Sequence, residues 1–496
     1  MLRAFPRLIA GASCVYLVAF LYVAFSRISY PYELEWLEGA VLQSVSHILR
    51  GLPMYPPPSL TYTPLNYPPL YFLVSAGASL VLGEGFLALR AVSLAAALAV
   101  FVMAFAFTRR VTGRAWAGWL AVGLFVACYR AGGAWLDVGR LDSLSLALVL
   151  AGTLVLDADR SRWRGPVVAA VLVTLSFLAK PTTIVMFVPV VVWCAIEDRA
   201  RGIRLAGALA LSLIAAVLAL DAWSAGGYSY YTFSVASRRP FEWRLVGQFP
   251  LHDFVLPLAP ALAVIVAALA IPAARRPLRP LAMFSALAVG HVGATWVLRT
   301  HIGCFDNVLI PVHLSVMALT VVAYARLIAA AGVSHAARRL ATLSGFALLV
   351  QLALMVWNPR DQIPTAADRA DGDALVANLR TEPGRVFVSS HPYLLMLAGR
   401  PENVHVQSFM DVVKGAKGAR EQAFLAQMRD SLAAHAWDLL VLDTRDWLMG
   451  EARSAGYEPV GEALHEPNTF WPMTGMKTRP EQVWVPSAAL DSTSHH

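Results

Sequence analysis

The sequence predicts an all-α polytopic membrane domain of about 11 transmembrane helices, with two juxtamembrane helices in its first outer loop, followed by a small C-terminal α/β extracytoplasmic domain. Three observations lead there. Of 496 residues, 57% are hydrophobic and only 15% charged, where soluble domains average roughly 25% charged. Apolar stretches of about 17–25 residues, the length a helix needs to cross a bilayer core of about 30 Å, recur up to residue 357. Beyond Asn358 hydropathy falls and short alternating runs appear. The boundary is therefore drawn as 1–357 for the membrane domain and 358–496 for the soluble one.

Charge divides the same way. Residues 1–357 carry 27 Lys/Arg and 14 Asp/Glu, whereas the remainder carries 13 and 18, so a basic membrane part is joined to an acidic tail. A basic surface for nucleic acid is therefore a poor explanation of the positive net charge. Cys14, Cys128 and Cys194 lie in apolar stretches and Cys304 near a helix end; no disulfide framework or CxxC metal motif is present.

The first apolar stretch, 8–26, follows Arg3 and Arg7. It is too long for a signal-peptide core and lacks a clear small-x-small exit, so it reads as a retained span. The stretch 68–83 is short and opens on two prolines, and arginine placement decides its role. If it does not cross, the spans are about 8–26, 86–108, 116–130, 140–157, 166–179, 182–196, 204–223, 251–272, 279–298, 305–327 and 341–357. The cytoplasmic side then holds Arg3/Arg7, Arg109/Arg110/Arg114, Arg160/Arg162/Arg164, Arg199/Arg201/Arg204, Arg275/Arg276/Arg279 and Arg326/Arg338/Arg339. Were 68–83 a span, five of the six clusters would face outward, against the positive-inside rule. The expected topology is an amino terminus in the cytoplasm, a multi-pass chain in the inner (cytoplasmic) membrane, and an external tail.

In this topology Glu33, Glu35, Glu38, Asp137, Arg140, Asp142, Lys180, Arg238, Arg239, His252, Asp253, Arg299, His301 and Asp306 all fall on the outer face. Behind the acid-rich "PYELEWLEG", apolar residues Leu37, Val41, Val45, Ile48 and Leu49 recur at helical spacing. Gly51 and Pro53 end the helix. Its polar face of Glu38, Gln43, Ser46, His47 and Arg50 suggests a helix lying along the membrane surface. Prolines then stiffen the chain, Tyr55, Tyr62, Tyr67 and Tyr71 supply interface-seeking rings, and 68–83 forms the second juxtamembrane helix.

A first span, an outer loop opening on acids, an amphipathic helix ending in Gly, a Pro-Pro-Leu helix and "ALRAVSLAAAL" (88–98) together resemble the superfamily C (GT-C) membrane glycosyltransferases. Protein O-mannosyltransferases and lipid A aminoarabinose transferases are among its members. "WLDVGRLDSLSLAL" (135–148) is similar to the family's second outer loop, and "SFLAKPTT" (176–183) to its Lys-Pro at a helix break. The loop acid of that superfamily is usually Asp-Glu; here it is Glu-x-Glu-x-x-Glu, which leaves open which glutamate is equivalent.

The resemblance implies transfer of a sugar from a polyprenyl-phosphate carrier to a lipid, glycan or protein acceptor on the outer side. Such a reaction needs a carboxylate base for the acceptor hydroxyl. It also needs cations at the leaving phosphate, either Lys/Arg or a divalent metal. Glu35 is the first candidate base and Glu33 the second, each also explicable as a helix N-terminal acid. Asp142 is the further candidate for a catalytic acid, with the same helix N-terminal alternative. Lys180, the only lysine before residue 414, together with Arg239 and Arg299, is a candidate for the donor phosphate. Glu38, Asp137, Arg140, Tyr67, His252 and His301 are candidates for substrate or metal-adjacent contacts, and any metal would be reached through Glu35 and Asp142. The terminal His495-His496 pair reads as tail.

In the tail, 385–390, 403–407, 438–443, 457–461 and 482–486 read as strands, and 371–380 and 419–435 as helices. An oligosaccharide ligase or polymerase would need the same outer carboxylate and carrier phosphate. A secondary transporter is disfavoured because the ionisable residues sit at helix ends and no inverted repeat is visible.

Overall fold

A computed structural model of the chain describes residues 4–275, 279–443 and 446–489. Arg3, Arg276, His495 and His496 lie outside the described residues. The chain divides into two compact units, which do not follow a linear cut at 357/358. One comprises residues 1–26, 91–216 and 239–362; the other comprises 27–90, 217–238 and 363–496.

The first unit is helical. It contains most of α1 (Phe5–Arg27) and of α4 (Phe86–Thr112), then α5 (Ala115–Ala127), α6 (Asp142–Ala158), α7 (Arg164–Ala179), α8 (Thr183–Glu197) and most of α9 (Arg199–Ser224). After the one-turn α10 (Gly227–Ser229) of the second unit come α11 (Leu256–Ala270), α12 (Arg279–Arg299), α13 (Ile310–Ala330) and α14 (His335–Leu354). Helices satisfy their own backbone groups, which lipid cannot do. α1 turns Leu8, Val15, Val18, Tyr22 and Phe25 outward, an apolar face suited to lipid. α13 is buried along nearly its whole length and packs on α5, α11, α12 and α14. Small residues let backbones approach: a Cβ on Gly290 of α12 would collide with the Met186 carbonyl of α8.

Helices stand at all eleven expected positions, and seven are long and apolar enough to cross a membrane by length and composition. The other four, α5 to α8, have 13, 17, 16 and 15 residues, shorter than the roughly 20 that span a bilayer core untilted.

The second unit contains α2 (Glu38–Leu49) and α3 (Leu70–Leu82), the two helices expected in the first loop. Much of the polar face expected for α2 is taken up inside the unit, while His47 is half-buried and Arg50 exposed. Glu38, Gln43, Ser44 and Ser46 are buried, because the same unit supplies their partners. Gln43 Nε2 donates to Glu402 Oε2 (3.1 Å) and to the Asn403 carbonyl (3.2 Å), while Arg50 pairs with Glu402 (2.6 Å).

From residue 363 the unit builds an α/β fold: α15 (Ala366–Thr381), β1 (Val386–Val388), α16 (Tyr393–Leu397), α17 (Val406–Val413), α18 (Ala419–Ala433), β2 (Leu439–Leu442), α19 (Leu448–Ser454), β3 (Tyr457–Glu462) and β4 (Gln482–Pro486). A capping box between Thr365 and Asp368 starts α15. The sheet order is β1-β2-β4-β3, with β1 parallel to β2 and the other pairs antiparallel. Residues 403–407 are not the expected strand. Their amides bond irregularly, Val404 N to Leu60 O and Val406 N to Ser389 O. His405 Nδ1 then accepts the Gln407 amide (3.0 Å) and starts α17.

Candidate functional site

The acid loop carries three buried glutamates in the second unit, each held differently. Glu38 opens α2 and forms a bidentate pair with Arg90: Nε to Oε1 is 3.1 Å and Nη2 to Oε2 is 2.7 Å. Arg90 also donates to the carbonyls of Arg27, Tyr30 and Tyr32, and Glu38 accepts the Leu34 amide (2.7 Å). This network shapes the loop. Glu35 is completely buried; its Oε2 accepts the Leu37 amide at 3.1 Å, and its backbone bridges to Thr474.

Glu33 has a different setting. Its Oε1 accepts the Gly39 amide (2.8 Å), and its Oε2 meets His391 Nδ1 at 2.6 Å. The other ring nitrogen, Nε2, lies 3.7 Å from Asp443 Oδ2. Tyr393 from the same turn packs where Gly39 lacks a side chain, so that a Cβ there would collide with both Tyr393 and Glu33. Burial pushes the Glu33 carboxyl up to about 7, although His391 and the Gly39 amide pull it down. Burial opposes charge on His391, yet Glu33 and Asp443 lift it to about 10. Sequence reasoning missed His391 and Asp443. The available signal was their place: each follows an apolar strand-like run, "VFVSSH" and "LLVLD".

The first unit holds a second cluster. Asp142 begins α6, and Lys180 lies at the C-terminal end of α7, just before α8. Lys180 Nζ donates to Asp142 Oδ1 (2.6 Å), and Asn307 Nδ2 donates to the same oxygen (2.9 Å). Asp142 Oδ2 is buried with no protein hydrogen bond among the described residues. The three residues line a small recess with Ser145, Thr183 and Ile310. Burial raises the Cys304 thiol, while Arg239, Lys180 and Arg299 lower it. The three cations singled out in the sequence are therefore within electrostatic reach of one atom. Arg299 is already engaged: it pairs with Asp253 (2.8 and 3.0 Å) and Asp306 (2.8 Å) and donates to the Cys304 carbonyl.

Asp137 Oδ1 accepts the Tyr129 hydroxyl (2.6 Å), and the Arg140 carbonyl accepts Ser93 Oγ (2.9 Å). His252 is exposed in the turn before α11, and His301 Nδ1 contacts the Val297 carbonyl (3.0 Å). Tyr67 is half-buried and its carbonyl accepts the Tyr55 hydroxyl (2.8 Å). Among the described residues, no three His, Cys, Asp or Glu side chains group so as to hold a metal ion.

Against solved structures, the chain superposes on ArnT from Cupriavidus metallidurans bound to undecaprenyl phosphate with a TM-score of 0.59 and 12% identity, over 96% of this chain and 98% of that one. The fold is that of ArnT. The apo form of ArnT matches with a TM-score of 0.58 and 14% identity, over 97% and 98% of the two chains. Residues 66–223 match the family model described as dolichyl-phosphate-mannose-protein mannosyltransferase. No curated protein sequence matches. The ArnT fold and the family-model match agree with the superfamily C glycosyltransferase resemblance read from the sequence.

Proposed function

We propose that the chain is an integral-membrane glycosyltransferase that moves a sugar from a polyprenyl-phosphate donor to a lipid, glycan or protein acceptor. The observation that carries this reading is the ArnT fold, shared along nearly the whole chain with a protein whose structure contains undecaprenyl phosphate. The mannosyltransferase family match supports it. In the same reading the eleven helices cross the inner membrane with the amino terminus inside, and the acid loop and tail face outward.

The acceptor hydroxyl gives its proton to a carboxylate of the acid loop as its oxygen bonds to the sugar's anomeric carbon. The bond from that carbon to the phosphate oxygen breaks with inversion, and the electron pair leaves with the polyprenyl phosphate. Lys180, Arg239 and Arg299 oppose the charge that grows there. Asp142 orients Lys180. Of the two candidate bases, Glu33 is favoured over Glu35, because a carboxyl held near 7 matches the ideal for a base working near neutrality.

The test is transfer from radiolabelled polyprenyl-phosphate sugars by purified protein in lipid, with Glu33→Gln, Glu35→Gln and Asp142→Asn beside the wild type. Loss of about 10²-fold or more in Glu33→Gln is expected for a general base. A larger loss in Glu35→Gln would reverse the choice of base. Full activity in all three would remove the mechanism.

A further inference from the structure

His391 and Asp443 occupy a place that α/β folds reserve for function. β1 and β2 are adjacent parallel strands. His391 follows the carboxyl end of β1 by three residues, and Asp443 directly follows β2. Crevices outside the carboxyl ends of parallel strands are where such sheets bind and act. Here the crevice receives the acid loop: Glu33 enters it and meets Nδ1 of the ring at 2.6 Å.

The geometry is that of an oriented imidazole between two acids. Nδ1 faces Glu33 and Nε2 faces Asp443, and all three side chains are buried. Asp443 Oδ2 stands 3.7 Å from Nε2, within ion-pair distance of the ring. Gly39 has no room for a side chain because Tyr393 and Glu33 fill that space. A fixed loop, a fixed ring and a buried counter-charge exceed what packing alone requires.

We propose that His391 is a positioning residue for Glu33: braced by Asp443, it fixes the orientation and charge state of the acid-loop carboxylate. This rests on the reading of Glu33 as the base. His391 acts through Glu33 without touching substrate. As an imidazolium it donates to Oε2, leaving the carboxylate ionised and the remaining lone pairs for an acceptor hydroxyl. The charged and titratable groups acting on this pair are Glu38 on the loop side, Tyr393 on the same turn, and Asp443 and Asp446 after β2. Burial also raises Asp446, to about 6.

Two measurements on the full-length protein in lipid nanodiscs test the proposal. The first follows the ring resonances of His391 against pH by NMR with labelled histidine, assigned by comparison with His391→Asn. A ring that stays protonated beyond pH 8 in the wild type, and titrates at least one unit lower in Glu33→Gln, is expected. An ordinary titration near 6.5 in both would overturn the coupling whether or not transfer is detected. The second compares transfer by wild type, His391→Asn and His391→Gln across pH. The expected result is a kcat lower by about tenfold or more with KM little changed, a part of what a general base supplies, and a displaced acidic limb. Unchanged kcat and pH profile would overturn the positioning role. If the wild type transfers no sugar from any polyprenyl-phosphate donor, the functional reading falls and takes the catalytic role with it, while the ring titration still decides the pairing.

Discussion

Arg90 and Glu38 form an ion pair in which neither side chain has any exposed surface. Arg90 stands near the start of α4 and Glu38 opens α2, and both belong to the second unit. Removing one partner would leave the other charge buried, which costs about 3–5 kcal/mol. Arg90→Met and Glu38→Gln are each expected to lower the thermal midpoint in detergent sharply, and the double variant is expected to lose less than the two losses added. Additive losses would show that the pair is not coupled.

Gly39 is the second expected weak point. Alanine there places a methyl group against the Tyr393 ring and the Glu33 carboxylate. Overpacking of this kind typically costs about 1–3 kcal/mol. Gly39→Ala should therefore destabilise, and Gly39→Ala with Tyr393→Leu should recover part of the loss by thermal denaturation. Gly11, where an added methyl would meet open space, is the control position: Gly11→Ala should not destabilise.

Asp142, Lys180 and Asn307 share one oxygen. A double-mutant cycle with Lys180→Met and Asp142→Asn should show coupling in donor affinity, since each single change disturbs the same contact. Arg239→Gln should weaken the donor further and roughly additively. Equal donor KM in Lys180→Met and wild type would exclude Lys180 from the phosphate.

Stability should fall as pH rises. Glu33 and His391 are both held above their ordinary values of 4.5 and 6.5, at about 7 and about 10. The folded chain therefore binds these protons more tightly than the unfolded one, and protons favour folding. The contribution of Glu33 is full below pH 4.5 and lost through 7; that of His391 is full below 6.5 and lost through 10. The thermal midpoint of wild type should decline between about pH 5 and 10, and His391→Gln should flatten the upper part of that decline. A midpoint that rises across this window would contradict the pairing.

What could be read from the sequence followed from local chemistry. Apolar run length and the arginine clusters marked the long helices between α1 and α14, and the short Pro-Pro stretch at 68–83 became the separate helix α3. Strand alternation located β1 to β4 but misread 403–407, where His405 serves as a cap and the chain turns into α17. Pairing across long separations was hidden. The polar face of α2 looked solvent-facing because its partners Glu402 and Asn403 lie some 360 residues away. Glu33 and His391 are 358 residues apart, and no periodicity reports such a contact. The three glutamates of "PYELEWLEG", of which the sequence put Glu35 first, are told apart by their partners: Arg90 for Glu38, a backbone amide for Glu35, an imidazole for Glu33.

The most direct measurement of the central claim is sugar transfer from a radiolabelled polyprenyl-phosphate donor by purified protein in lipid, wild type beside Glu33→Gln. Transfer by the wild type and its loss by about 10²-fold or more in the variant, with the variant still folded, is the predicted result. Undiminished transfer in Glu33→Gln would contradict the assignment of the base, and no transfer by the wild type from any such donor would contradict the function itself.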